Sequence, residues 1–160
     1  MHYKTMTIRT TPVRVPDVST ETDAATRQRN EQTYRDMHDA LNAGDADGYI
    51  KHVAEDVVYE APYYREDGEP LAKGRDNLYR MLGALKQSFS RLHYDIEGFI
   101  ACLDPNMIIA VVSGDNVIAD TGKPYRNHYH FIVRFDGEGK IIHSLELSNP
   151  LVMQEARTPN

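Results

Sequence analysis

Apolar positions follow two rhythms along this chain. Up to about residue 88 they recur every three or four positions, the period of a helix face; beyond it they mostly alternate, the period of a strand. Tyr34, Met37 and Leu41 share one helical face. The string NAGD (Asn42–Asp45) stops that helix, with Gly44 as its C-terminal cap. Thr20 and Asp23 mark its start, a hydroxyl cap followed by an acid three residues on. Asp45 caps a second helix whose apolar face is Ala46, Tyr49, Ile50 and Val53. DVVYEAPYY (Asp56–Tyr64) reads as a short strand ending at Pro62, and REDGEPLAKG after it as a polar loop. Arg75 to Ser88 is a third helix, with Leu78, Met81, Leu82 and Leu85 at helical spacing.

From there strands take over. RLHYDIEGFIACL, NMIIAVVSGDNVIA, YRNHYHFIVRF and KIIHSLELS each have strand character, and DPN, DTGKP and DGEG are turns between them. LVMQEART reads as a short tail helix. Residues 1–18 carry Pro12 and Pro16 and read as an arm, disordered or laid across the domain or a partner. A single domain is expected over 19–156, with 157–160 as a tail. Three helices with an interleaved strand, then four strands joined by tight turns, is an α+β plan. The strands would curl over the helices as a half-open cone with a central pocket.

Composition narrows the function. The 160 residues allow a sizeable core, and 41% apolar with 26% charged residues suits a soluble globular domain. A net charge of -6 without any basic block argues against nucleic acid or an anionic membrane as the main partner. Cys102 is the sole cysteine, so no intramolecular disulfide forms, and it reads as a small buried hydrophobe. No apolar run has the length of a signal peptide or a membrane span, and a cytoplasmic location is expected.

The order and spacing of several strings carry a resemblance. LNAGDADGYIKHVAEDVVYEAP, then GRDNL opening a helix, then FDGEGKI before the last strand, resemble the nuclear-transport-factor-two-like superfamily, also called ketosteroid-isomerase-like or SnoaL-like. The likeness spans about residues 28–155. Within it, DPN before a strand, NHYH…F…GKI, and Glu146 followed by Asn149 are similar to the phenazine-biosynthesis A/B-like branch. The superfamily hosts isomerases, polyketide cyclases, dehydratases, epoxide hydrolases and non-catalytic modules, so fold does not settle function.

Residue by residue, much of the superfamily's machinery is replaced. Ala61 precedes Pro62 where steroid isomerases carry an aspartate base, and Met37 stands near their phenolic donor. Val112 and Gly114 fall where limonene-epoxide-hydrolase-like members pair Arg with Asp, and Asp115 would replace the acid only through a shifted register. Met81 takes the place of the phenazine branch's histidine. Tyr59 matches the hydrolase-like members' first-strand tyrosine, and Glu146 falls at their last-strand acid.

Glu146 is therefore the central candidate. Alternation puts Ile142, Ser144, Glu146 and Ser148 on one face, which the resemblance turns toward the pocket, and Ile141, His143, Leu145 and Leu147 on the other. A carboxylate in an apolar cavity resists ionisation and becomes a usable general acid or base. The competing reading is a solvated glutamate, or one paired with an arginine across a dimer interface. Tyr129 and Asn127 share the apolar face of their strand and point at the pocket, while His128 and His130 point away. Those histidines with His143 suit a metal poorly, and no metal or cofactor is expected. Tyr59 either donates to a substrate oxygen or packs in the core. His38 either reaches the pocket mouth or is an ordinary satisfied histidine.

The expected activity is cofactor-independent acid/base chemistry, an isomerisation, cyclisation or dehydration of a hydrophobic or cyclic metabolite, in secondary metabolism. Glu146, Tyr129 and Tyr59 would be catalytic. Asn127, Tyr63, His38, Ser113, Ser144 and Met81 would contact the substrate. A non-catalytic ligand-binding or dimerisation module is the first alternative. An epoxide hydrolase using Glu146 and Asp115 is the second. The partners expected are a small-molecule ligand and a second copy in a homodimer.

Overall fold

The computed structural model describes residues 21–65 and 67–159. The elements run α1 (Glu21–Asn42), α2 (Ala46–Ile50), β1 (Val53–Glu60), a 3-10 turn (Pro62–Tyr64), β2 (Ala72–Lys73), α3 (Arg75–Ser88), β3 (Phe89–Arg91), β4 (Tyr94–Ala101), β5 (Met107–Ile118), β6 (Pro124–Phe135), β7 (Ile141–Ser148) and α4 (Pro150–Arg157). The seven strands form one sheet in the order β2-β1-β7-β6-β5-β3, with β4 also pairing β5. β1 and β7 are parallel and the other pairs antiparallel, so the sheet is mixed. Helices pack on its concave side and the sheet curls into a half-barrel, the α+β cone that the sequence predicts.

The long strands show why the sheet has a core side. Along β5 and β6 almost every second residue is buried, and its neighbours face out. Ala110, Val112, Tyr129, Phe131 and Val133 thus form one inner layer. Tyr34 and Met37 of α1 pack onto that layer, and each such burial contributes about 1.5–3 kcal/mol. Irregular registers between Val53 and Val58, Ile96 and Gly98, and Arg134 and Phe135 bend the sheet where it wraps the helices.

Two polar devices fix α1 against the sheet. Asn42, the last residue of α1, donates to the Tyr94 carbonyl and accepts from the Tyr94 amide, both at 2.8 Å. At the other end, Arg29 reaches the Gly137 carbonyl at 2.9 Å, and fully buried Asn30 donates to the Pro105 carbonyl at 3.0 Å. Asp45 caps α2 by accepting from the Gly48 amide, as its position predicts, and Gly44 turns the chain with φ 69°.

Several local expectations change. Val53 opens β1 beside Ile141 of β7 rather than closing a helix face, because α2 ends at Ile50. Pro62–Tyr64 is a 3-10 turn, not strand, and the predicted loop contains the two-residue β2. The segment after α3 is two strands, because Leu92 and His93 leave the ladder. There Asn116, buried in β5, accepts from the His93 amide at 2.8 Å. The arm over residues 1–18 and the Thr20 cap lie outside the described residues. Among the described residues, no helix is long and apolar enough to cross a membrane.

Candidate functional site

A cavity of about 240 Å³ lies between the helices and the concave sheet. α1 supplies Tyr34, Met37, His38 and Leu41 to its walls, and α3 supplies Met81, Leu82 and Leu85. Its sheet side is Tyr59, Tyr94, Phe131, Ser144 and Glu146. A wider surface groove of about 560 Å³ runs beside the α1–α2 turn. The two spaces share Leu41, Tyr49 and Leu82, so these side chains separate the cavity from the groove.

Sheet register brings the polar centre together. Tyr59 of β1 stands opposite Ser144 of β7, so Glu146 is its diagonal neighbour on the same face. The Tyr59 hydroxyl donates to Glu146 Oε2, and the Ser148 hydroxyl donates to Oε1 at 3.1 Å. Burial pushes the Glu146 carboxyl above the usual glutamate range, and these two hydrogen bonds oppose that rise. Glu146 has no lysine or arginine partner among the described ion pairs. Burial first, and then the Glu146 charge, push the Tyr59, Tyr49 and Tyr94 hydroxyls up, so they stay protonated donors. Burial also lowers His38 to about 4, which keeps its imidazole neutral at physiological pH.

A hydroxyl chain continues from the carboxylate. Ser148 Oγ is 2.8 Å from the Tyr64 hydroxyl, which is 3.2 Å from the Tyr125 hydroxyl. Asn127 Nδ2 donates to that Tyr125 oxygen at 3.1 Å. Because Ser148 spends its proton on Glu146, donation runs one way along the chain: Asn127 to Tyr125 to Tyr64 to Ser148 to Glu146.

The predicted site residues separate into two groups. Glu146, Tyr59, His38, Ser144 and Met81 line the cavity together. The other four do not. Tyr129 is 2% exposed and lies behind Phe131, stacked on it at 5.7 Å. Asn127 points inward as its strand face predicts, but its groups tie β6 to Asn149 and Tyr125 instead of facing the cavity. Tyr63 sits on the 3-10 turn and is 59% exposed. Ser113 faces outward, because its partners on β5, Val112 and Gly114, take the buried face.

Faces on β7 also shift. Arg134 pairs with His143 but Phe135 pairs with Ile141, so Ile142 is an extra residue. The bulge turns Ile141, 2% exposed, into the core, where simple alternation had placed Ile142. Asp115 lies on the outer face in ion pairs with Arg91 at 2.6 Å and Arg126 at 2.9 Å. The β5–β6 register is unbroken there, so no shift brings Asp115 toward Glu146. His128 and His143 face different acids, Glu97 at 3.6 Å and Glu60 at 3.4 Å. Among the described residues, no group of three His, Cys, Asp or Glu side chains is placed to hold a metal.

Sequence reasoning passed over Tyr34, Tyr49, Tyr94 and Leu71 as cavity residues, Ser148 as a donor to Glu146, and Tyr64 as the partner of Ser148. One signal was present: Tyr34 and His38 are four apart on α1 and so share a face, with ring centroids 4.5 Å apart. Alternation also puts Ser148 on the face of Glu146; nothing local marks the others.

Known proteins share this architecture. A candidate isomerase from Bacillus subtilis superposes with a TM-score of 0.74 at 23% identity, over 82% of this chain and 94% of that one. A phenazine biosynthesis-related protein from Pseudomonas aeruginosa gives 0.71 at 20% identity, over 89% and 90%. In sequence, the uncharacterised protein YesE of Bacillus subtilis strain 168 is 26% identical over 102 residues, 64% of this chain and 69% of YesE. Residues 34–144 match the SnoaL-like domain, and the chain belongs to that family. The matched span stops two residues before Glu146.

Proposed function

We propose that this protein is a cofactor-independent small-molecule enzyme that moves a proton on a hydrophobic, cyclic or carbonyl-bearing metabolite. The reaction class is isomerisation, cyclisation or dehydration. One observation carries this reading: among the described residues Glu146 is the only acid lining an apolar, tyrosine-rich cavity and has no lysine or arginine partner, and burial raises its pKa. Ionised, it takes a proton from a carbon next to a carbonyl. Protonated, it returns that proton to another position or to a leaving oxygen. Tyr59 and Ser148 hold the carboxylate in place. Hydroxyls on the cavity wall, in place of Tyr129 and Asn127, donate to the oxygen on which charge develops. Likeness in fold to a phenazine biosynthesis-related protein is in keeping with a role in secondary metabolism.

The test is turnover of a ketone and polyketide-like panel by wild type and Glu146→Gln. Loss of at least a hundredfold in kcat with an unchanged fold is expected. Retention of more than a tenth of wild-type activity sinks the assignment. A non-catalytic binding module is the rival reading. Ligand binding by calorimetry, with the ligand chemically unchanged by mass spectrometry, favours it. The epoxide hydrolase reading loses its second acid, since Asp115 is engaged on the outer face.

A homodimer through the convex sheet belongs to the same proposal. Ile100, Ile109, Ile132 and Leu145 stand in register as an apolar row across four strands, and Ile100 is 51% exposed. A monomer by light scattering at micromolar concentration counts against it. The free thiol of Cys102 is in keeping with a reducing, cytoplasmic setting.

A further inference from the structure

Asn127 fixes the direction of the hydroxyl chain behind Glu146. Its Oδ1 accepts from the His128 amide at 2.9 Å and from the Asn149 amide at 3.4 Å. Nδ2 is thereby turned to the Asn149 carbonyl at 2.9 Å and the Tyr125 oxygen at 3.1 Å. Tyr125 then spends its own proton on Tyr64, 3.2 Å away, and Tyr64 spends its proton on Ser148 at 2.8 Å.

The two oxygens of Glu146 have different surroundings. Oε2 is held by Tyr59, a cavity residue. Oε1 is held by Ser148, and neither Ser148 nor Tyr64 lines the cavity. The Asn127 end of the chain is closed, with Tyr125 1% and Asn127 6% exposed. Tyr64 is half-buried on the 3-10 turn, next to Tyr63, which is 59% exposed. Tyr64 is thus the point at which the chain comes to the surface.

A ligand in the cavity separates the Tyr59 side of Glu146 from water. A proton taken from carbon must then return to the ligand or leave on the Ser148 side. For exit, Ser148 first turns its hydroxyl to Tyr64, and Tyr64 turns its own to water; Asn127 holds Tyr125 as a donor, so Tyr64 has no inward acceptor there. In one concerted shift the Glu146 Oε1–H bond breaks as Ser148 Oγ takes that proton. The Ser148 proton passes to the Tyr64 oxygen, and the Tyr64 proton passes to water. Glu146 ends ionised, both hydroxyls end neutral and donating toward it, and one proton has reached solvent. No phenolate forms, in keeping with a Tyr64 hydroxyl that burial pushes well up.

We propose that Ser148 and Tyr64 form a proton outlet for Glu146, through which its proton exchanges with water while the cavity is filled, and that Asn127 is the positioning residue that keeps the outlet aimed at the carboxylate. This rests on the acid/base reading of Glu146 given above.

The test follows a label. Cyclohex-3-enone, deuterated on the carbon between its carbonyl and its double bond, is converted by the full chain to cyclohex-2-enone in ordinary water. The share of the removed deuterium that reappears at the far end of the former double bond is read by NMR. Wild type is expected to lose most of it to water, and Tyr64→Phe to carry at least fivefold more of it across. A variant that is merely less well folded turns over more slowly at the same ratio, so the ratio separates an outlet from a structural role. Equal carry-over in both proteins overturns the outlet and leaves the acid/base reading standing. Undiminished conversion by Glu146→Gln defeats that reading instead.

A second measurement needs no turnover. Loss of the Tyr64 donor weakens the bond from Ser148, so infrared titration of the Glu146 C=O stretch should give a higher midpoint in Tyr64→Phe. In a Ser148→Ala background the same substitution should leave the midpoint unmoved, because the link is gone. Equal shifts in the two backgrounds overturn the proposal whether or not the enone reacts.

Discussion

Tyr59 and Glu146 occupy adjacent parallel strands, and the Tyr59 hydroxyl donates to Glu146 Oε2 across a diagonal of the sheet. The two are 87 residues apart in sequence. The pairing gives the carboxylate a fixed direction and sets how strongly burial can neutralise it.

Tyr59→Phe removes a donor that favours the ionised carboxylate. Hydrogen bonds to charged groups contribute about 1.5–3 kcal/mol, so the Glu146 pKa should rise further. The measurement is the carboxyl C=O stretch followed by infrared titration, with Glu146→Gln to identify the band. An unmoved or lowered midpoint contradicts the hydrogen-bond assignment.

Glu146→Gln also bears on stability. The folded pKa of Glu146 lies above the unfolded value of about 4.3, so the folded state binds the proton more tightly. The stabilisation is complete below that value and is lost as pH rises through the folded pKa. Denaturant unfolding of Glu146→Gln should show a smaller fall in stability over that window than wild type. The same slope in both proteins would mean that Glu146 is not buried as described.

His38 has the opposite sign. Its folded pKa of about 4 lies below the unfolded value near 6.5, so its contribution is present above 6.5 and is lost as pH falls toward 4. The full effect is on the order of 3 kcal/mol. His38→Gln should flatten the acid limb of the stability curve between those limits. Chemical denaturation at several pH values checks it, and an unchanged limb refutes it.

Asn42→Ala severs both bonds to the Tyr94 backbone and leaves its amide and carbonyl partly buried without a partner. Destabilisation of about 1–3 kcal/mol is expected, with the m-value unchanged. Loss of less than about 0.5 kcal/mol would mean that water replaces the clamp.

Much of this architecture was legible in the chain. Leu78, Leu82 and the capping Asp45 announce their helices, and the inner face of β6 follows from alternation alone, because strand periodicity is a local property. Glu146 was legible as an anomaly, one charge in an apolar strand. Where local structure breaks the period, the reading failed. The bulge at Ile142 exchanged the two isoleucines of β7, and Pro62–Tyr64 closed into a 3-10 turn, removing Tyr63 from the cavity.

The sequence by itself determined the order of elements, the inward faces of the long strands and the presence of one misplaced carboxylate. Tertiary structure alone decided what that carboxylate touches. Tyr59 reaches Glu146 through a parallel pairing, and Tyr64 reaches its neighbour Ser148 through a turn, neither of which a local pattern encodes. Phe131 lines the cavity while Tyr129, stacked on it, does not, a difference that alternation along β6 cannot show. Contacts between distant segments depend on register and curvature, which are fixed by the packing of the whole sheet on its helices.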